Sequence, residues 1–420
     1  MRSRYLIVAL FVAATGARGT SAELQLKDGD VLAICGDSIT AQMLYSVFVE
    51  EYLLMCQPAA KLQAMQSGWP GEASWGFRWR IDQCIKPFKP TVVTLCYGMN
   101  DGAYRPMSDA TGRHYYDSMK AITAKFKTMG VRTIILGSPG AVDTTFFDHG
   151  PKSRPPATVY NQTLGALTEL AAKVAKEEGV LFADVHTPMM EVMSKAKAKL
   201  GLEYPVCGAG TGVHPGPNGH LIMAYAFLKA LGCDGNIGTI TMDYANGKAD
   251  ATDGHMVQSS AVGKVEIQST RYPFCFIDST KAADTVRSIL EFLPFNQDLN
   301  RFMLVVKNAP QRARVKWGNE EKTFGSAQLA QGINLAAEFL DNPFCESFQK
   351  VQKTISAHQS VEIRMSTTFH GLAQWIKNPQ TLKQVVEECV QHDEALRATA
   401  AAGVKPVVHT IVVTPAESGK

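Results

Sequence analysis

The run Val31-Leu32-Ala33-Ile34-Cys35 stops at Gly36-Asp37-Ser38-Ile39-Thr40, and a helix-like stretch rich in Leu, Val and Phe follows. An apolar run of this length bounded by glycine reads as a buried strand, and the polar cluster after it as the turn into a helix. A side chain at the C-terminal end of such a strand faces the edge where open α/β sheets bind ligands, with free backbone N–H groups beside it. Gly36 lacks a Cβ and permits the sharp turn, while Asp37 and Thr40 can accept from the amides that begin the helix. Ser38 is displayed by this arrangement. The same tripeptide also fits an ordinary strand-to-helix loop with Ser38 as a cap.

Working outward, the alternation continues. Strands are expected at Val31–Cys35, Leu62–Gln66, Thr91–Cys96, Arg132–Leu136 and Val180–Ala183, with helices near 43–55, 75–85, 115–129, 159–178, 187–200 and 217–231. Strands alternating with helices imply an α/β fold with a parallel sheet covered on both faces. The pattern defines a catalytic domain over 23–235. Beyond it the texture changes to short alternating strands with turn signals such as Asn246-Gly247, a small β-rich region over 236–325. Residues 326–420 read as a C-terminal helical region, with long helices over 327–355 and 371–399 and a final strand near 406–413. Asn342-Pro343 interrupts the first helix.

Residues 1–22 carry Arg2 and Arg4, an apolar stretch from Tyr5 to Ala14 and small residues Thr20-Ser21-Ala22, the pattern of a signal peptide. A secreted or periplasmic protein is expected, with no membrane anchor, because no cysteine follows the apolar run and no later run reaches roughly eighteen apolar residues. The formal charge of +3 includes Arg2, Arg4 and Arg18, so the remainder is close to neutral and offers no basic face for nucleic acid or anionic membrane. Nine widely spaced cysteines argue for buried small hydrophobes rather than a disulfide framework, and no spacing suggests a metal site.

Three further polar segments follow expected strands and so share the sheet edge with Ser38: Ser67 to Ser74, Tyr97 to Gly102 and Gly212 to His220. GDSIT at 36–40, GWPGEAS at 68–74, GMND at 98–101 and VHPGPNGH at 213–220 together resemble, in order, the four blocks of the SGNH hydrolases, also called GDSL esterases. The added β and helical regions resemble additions in a bacterial subgroup of that family.

The resemblance implies a flavodoxin-like, three-layer α/β/α fold and a serine esterase that needs no cofactor and no metal. Ser38 would be the nucleophile and His214 the base that takes its proton and returns it to the leaving alcohol. The Ser38 N–H, the Gly71 N–H and the Asn100 side-chain amide would hold the oxyanion, one such donor being worth about 3–4 kcal/mol. The family usually carries Asp three residues before the histidine, and Thr211 stands there instead. Thr211 is therefore the candidate orienter of His214, with a backbone carbonyl of the 205–212 loop, Asp184 or Glu203 as alternatives. His220 reads as a packing or capping residue.

Trp69, Trp75, Trp79, Tyr97 and Tyr104 near the motif loops, with Arg78 and Arg105, lean toward a small-molecule or polysaccharide ester, most simply an O-acetyl ester. Acyl transfer through the same intermediate is an alternative, as is a catalytically weak binding protein that has lost the usual Asp. The C-terminal regions are expected either to pack beside the catalytic edge and narrow access to Ser38 or to form a stabilising appendage with no contact to the site.

Overall fold

The computed structural model describes residues 24–58, 61–277 and 283–416. The expected leader, residues 1–22, lies outside the described residues. Five strands, β1 (Val31–Gly36), β2 (Gln63–Gly68), β3 (Val92–Cys96), β4 (Thr133–Gly137) and β5 (Leu181–Ala183), form one parallel sheet in the order β2-β1-β3-β4-β5. This is the doubly wound, flavodoxin-like order, in which the strand C-termini form the ligand-binding edge.

Alternating residues of the strands feed two cores. Leu32, Ile34, Val92 and Ile135 join one cluster, whereas Ala33, Cys35, Val93, Leu95, Ile134 and Leu136 join the other. Both faces are therefore dry, which explains why the strands read as continuous apolar runs rather than alternating ones. Helices α1 (Ser38–Ala41), α2 (Leu44–Glu51), α3 (Ser74–Arg80), α4 (Asp109–Thr128), α5 (Ala157–Glu178), α6 (His186–Leu200) and α7 (Pro217–Ala230) connect and cover the sheet.

The second half adds two sheets. Strands β6 (Asn236–Asp243), β7 (Ala249–Ala251), β8 (His255–Ala261), β9 (Lys264–Ser269), β10 (Arg301–Lys307), β11 (Arg312–Trp317), β12 (Glu320–Gly325), β13 (Ile333–Asn334) and β14 (Val407–Pro415) assemble as β13-β10-β6-β7 and β12-β11-β14-β9-β8. The last strand, β14, lies between β11 and β9 and completes a sheet begun at residue 255.

The helices here differ from the sequence expectation. Short α8 (Phe295–Asp298), α9 (Ser326–Gln331) and α10 (Leu335–Glu338) precede the long pair α11 (Cys345–Trp375) and α12 (Pro379–Gly403). The residue before proline is pushed out of the helical region, so Asn342-Pro343 separates short turns from a long helix. At the other end Asn378 caps α12 by accepting from Gln380 and Thr381, with Pro379 in the first turn.

Helix α11 runs along the outer edge of β2. Glu362 Oε2 accepts the Gln66 N–H at 2.8 Å, the Ser366 and Ser67 hydroxyls meet at 3.2 Å, and Phe369 packs on Phe88. An edge strand that would otherwise present unpaired backbone groups is covered in this way. All nine cysteines are free thiols.

The turn after β1 is crowded. A Cβ on Gly36 would lie 2.0 Å from Thr40 Oγ1 and 2.8 Å from the Cys96 carbonyl oxygen; one on Gly68 would lie 2.2 Å from the Ala41 nitrogen. Gly371, inside α11, meets nothing within 4 Å. Gly36→Ala should therefore cost about 1–3 kcal/mol in urea unfolding, and Gly371→Ala should gain about 0.5–1 kcal/mol.

Candidate active site

Ser38 opens α1 immediately past β1, where Asp37 caps the turn by accepting the Ile39 N–H at 2.9 Å. The imidazole of His214 reaches it from the loop before α7, placing Nε2 2.9 Å from the Ser38 Oγ. That loop is pinned through Asp143, which follows β4 and has no solvent exposure. Its N–H donates to the Gly212 carbonyl at 2.7 Å, its Oδ2 accepts from Val206 at 3.3 Å, and its Oδ1 pairs with Lys197 Nζ at 2.9 Å. Gly208 and Gly212 have positive φ, and a Cβ on either would strike backbone, the His214 carbonyl at 2.0 Å and the Phe147 nitrogen at 2.2 Å respectively.

Burial, reinforced by the Arg154 guanidinium, holds the His214 pKa below the ordinary 6.5. The ring is neutral at pH 7, so the nitrogen facing Ser38 can accept a proton. Arg154 itself lies over the Tyr104 and Phe147 rings, at 4.7 and 5.2 Å.

The three expected oxyanion donors differ in what engages them. Among the described residues no hydrogen bond engages the Ser38 or the Gly71 N–H. Gly71 sits exposed at φ +76°, a conformation that glycine adopts without strain. The Asn100 Nδ2 donates to the Glu72 carbonyl at 3.0 Å and reaches Asp37 Oδ2 at 3.4 Å, linking the Gly71 loop to the Ser38 turn. Burial pushes the Asp37 pKa up to about 7.

The Gly71 loop is braced from below. Arg80, 2% exposed, forks onto Glu72 with two contacts of 2.7 Å, and also donates to the Ser67 hydroxyl at 2.7 Å and the Ser67 carbonyl at 2.9 Å. Tyr97 OH donates to Glu72 Oε2 at 2.7 Å, and Asp101 accepts from the Ser74 hydroxyl and N–H. The Gln66 side chain ties the two motif turns together, donating to the Thr40 carbonyl at 2.7 Å and accepting the Gly68 N–H at 2.6 Å.

Residues 34–222 match the GDSL-like lipase/acylhydrolase family. They form a domain of that family. The protein is a hydrolase acting on ester bonds.

A curated acetylxylan esterase from Geobacillus stearothermophilus is 23% identical over 226 residues, covering 50% of this chain and 97% of that protein. Its crystal structure aligns at 20% identity over 50% of this chain and 96% of that one, with a TM-score of 0.40. The structure of a gut microbial diltiazem-metabolizing enzyme aligns over 92% of this chain and 98% of its own, at 21% identity and a TM-score of 0.72. This last likeness extends the shared fold through the two added sheets and the C-terminal helices.

The family's usual third member is replaced here without a direct substitute. Thr211 lines the cavity beside Ser38 and His214, yet its hydroxyl accepts the Val213 N–H at 3.4 Å, and among the described residues no hydrogen bond reaches His214 Nδ1. Asp184 caps α6 by accepting from Thr187 at 2.9 Å, and Glu203 is exposed. His220 is fully buried, stacked near Tyr45, with Nε2 3.1 Å from Gln42 Oε1 and a pKa lowered by burial to about 3.

Sequence reading passed over Arg80, Glu72, Gln66, Asp143 and Lys197, all of which support the motif loops. Only Arg80 and Glu72 carried a signal, as charges eight residues apart flanking an aromatic helix. Removing the guanidinium in Arg80→Met leaves the Glu72 carboxylate buried without its partner. The loss in unfolding free energy should be about 3–5 kcal/mol by chemical denaturation.

Proposed function

We propose that the protein is an exported serine esterase that removes small acyl groups, O-acetyl foremost, from a carbohydrate or other polar alcohol through an acyl-enzyme on Ser38. The observation that carries this reading is the 2.9 Å contact between Ser38 Oγ and His214 Nε2, with the Ser38 N–H engaged in no hydrogen bond among the described residues. Acceptance at Nε2 requires the neutral tautomer with its proton on Nδ1.

In this mechanism neutral His214 takes the Ser38 proton as Oγ attacks the ester carbonyl. The oxygen becomes negative and meets the Ser38 N–H, the Gly71 N–H and the Asn100 amide. Collapse expels the alcohol, protonated by His214, and leaves the acyl group on Ser38. Water, deprotonated by the same imidazole, then releases the acid.

The cavity of about 500 Å³ that contains Ser38, Gln42, Pro70, Thr211 and His214 is open, which suits a small acyl group on a large alcohol. The basic and apolar N-terminal residues support export, and the name of the acetylxylan esterase relative supports an acetylated sugar. Residues 23–235 would be the catalytic unit, with 236–325 and 326–420 bracing it through α11.

Hydrolysis of p-nitrophenyl acetate, and covalent labelling by an organophosphonate, should both vanish in Ser38→Ala; persistence of either would overturn the assignment of the nucleophile. The base works only when neutral, so kcat/KM should fall tenfold per pH unit below the His214 pKa, with an acid limb centred below 6.5. Thr211→Asp would place a carboxylate beside the imidazole, favouring its protonated form. The limb should move to higher pH and kcat should rise; an unmoved limb would mean that another group already orients His214.

A further inference from the structure

We infer that the trough on the far side of Pro70 and Gly71, faced by Trp75 and Trp79, is a subsite for a pyranose ring of the alcohol half of the substrate. This rests on the esterase reading and names where the sugar is held.

Trp75 and Trp79 are four residues apart on α3 and so share one face of that helix. They expose 50% and 74% of their surface, while Phe77 between them is fully buried in the core. Large aromatic faces left in water are costly unless something covers them. The trough they border encloses about 300 Å³ and also includes Trp69, Gly71 and His370.

The rings are held rather than loose. Trp69 lies between the Arg80 guanidinium and His370, each 5.4 Å from its ring centre; Trp75 stacks near His114 at 6.3 Å; the Arg78 guanidinium is 6.0 Å from the Trp79 ring. His370 is brought to this rim by α11, from the far end of the sequence.

The lining decides the occupant. A pyranose presents an apolar C–H face to an aromatic plane and hydroxyls at its edge, and this trough pairs tryptophan faces with the exposed imidazole of His370, the Arg80 guanidinium beneath them being engaged with Glu72 and Ser67. An acyl chain would leave that imidazole uncovered, and a trough of this size is too small to seat a helix or strand of a protein partner. Pro70 borders both this trough and the Ser38 cavity, so the two lie on either side of it. Gly71 joins them chemically, because its unpartnered N–H is proposed to hold the oxyanion while its backbone borders the sugar. An ester carbonyl at Ser38 would thus place the sugar across the Pro70-Gly71 ridge, over the tryptophans.

The test uses the full chain and two substrates, p-nitrophenyl acetate and acetylated xylo-oligosaccharides. Trp75→Ala and Trp79→Ala should raise the oligosaccharide KM about tenfold more than the KM for the nitrophenyl ester, and Trp79→Phe should recover most of that loss. Equal effects on both substrates, or none, would overturn the subsite. A binding readout separates it from the chemistry. Unacetylated xylohexaose should quench tryptophan fluorescence in Ser38→Ala, and the quench should weaken about tenfold in affinity when Trp75 or Trp79 is also removed. Ser38-dependent ester hydrolysis without xylohexaose binding would sink the subsite and leave the esterase standing. Binding that depends on the tryptophans, without Ser38-dependent hydrolysis, would do the reverse.

Discussion

A guanidinium buried to 2% exposure has five N–H donors to satisfy and a charge to neutralise, and Arg80 does both at one point beneath the catalytic edge. Its fork onto Glu72 fixes the carboxylate; the Glu72 carbonyl then accepts from Asn100, and Gly71 precedes it in the chain. The contacts to Ser67 fix the end of β2, where Ser366 of α11 also meets the Ser67 hydroxyl. One buried ion pair therefore couples two proposed oxyanion donors, the sheet edge and the C-terminal helix. Such a pair contributes little net stability, but its geometry is stringent, since any shift strands a charge out of water.

The histidine side of the site is built on the same logic with different residues. Asp143 and Lys197 form a second buried pair, and Asp143 holds the loop of His214 by its own backbone N–H and by its carboxylate. Preorganisation of this kind holds the proposed nucleophile and base at hydrogen-bonding distance, so that the proposed reaction needs no rearrangement of the two groups. Among the described residues no hydrogen bond backs the imidazole at Nδ1: burial and Arg154 both disfavour the protonated ring, and Thr211 accepts from the nearby Val213 N–H.

The C-terminal half joins the catalytic half by direct contact. Glu362 reaches the backbone of β2, Gln359 bonds Ser46 and Glu50 of α2, and His370 approaches Trp69. The contact is rich in buried titratable groups: burial raises the Glu50 pKa to about 8 and lowers that of His358 to about 4, with Asp393 and Arg397 of α12 close by. The Gln359 and Glu362 hydrogen bonds tie α11 to α2 and the sheet edge, because losing either partner would leave a buried polar group unsatisfied.

The sequence alone determined the five strands, the parallel character of their sheet and the turn that displays Ser38, because buried strands, glycine turns and caps are encoded locally and repeat along the chain. The four motif blocks likewise named Ser38, Gly71, Asn100 and His214 as candidates without reference to distance. The long helices were misplaced, since Asn342-Pro343 and Asn378-Pro379 set their starts more strongly than apolar periodicity did. Only the tertiary structure decided which charges meet. Arg80 with Glu72, Lys197 with Asp143 and Glu362 with Gln66 are pairings across unrelated segments. Their worth comes from exclusion of water, which no local pattern of residues specifies. For the same reason Tyr97, which reads like a site aromatic, is a buried strut, while Trp75 and Trp79 stay in solvent at the rim.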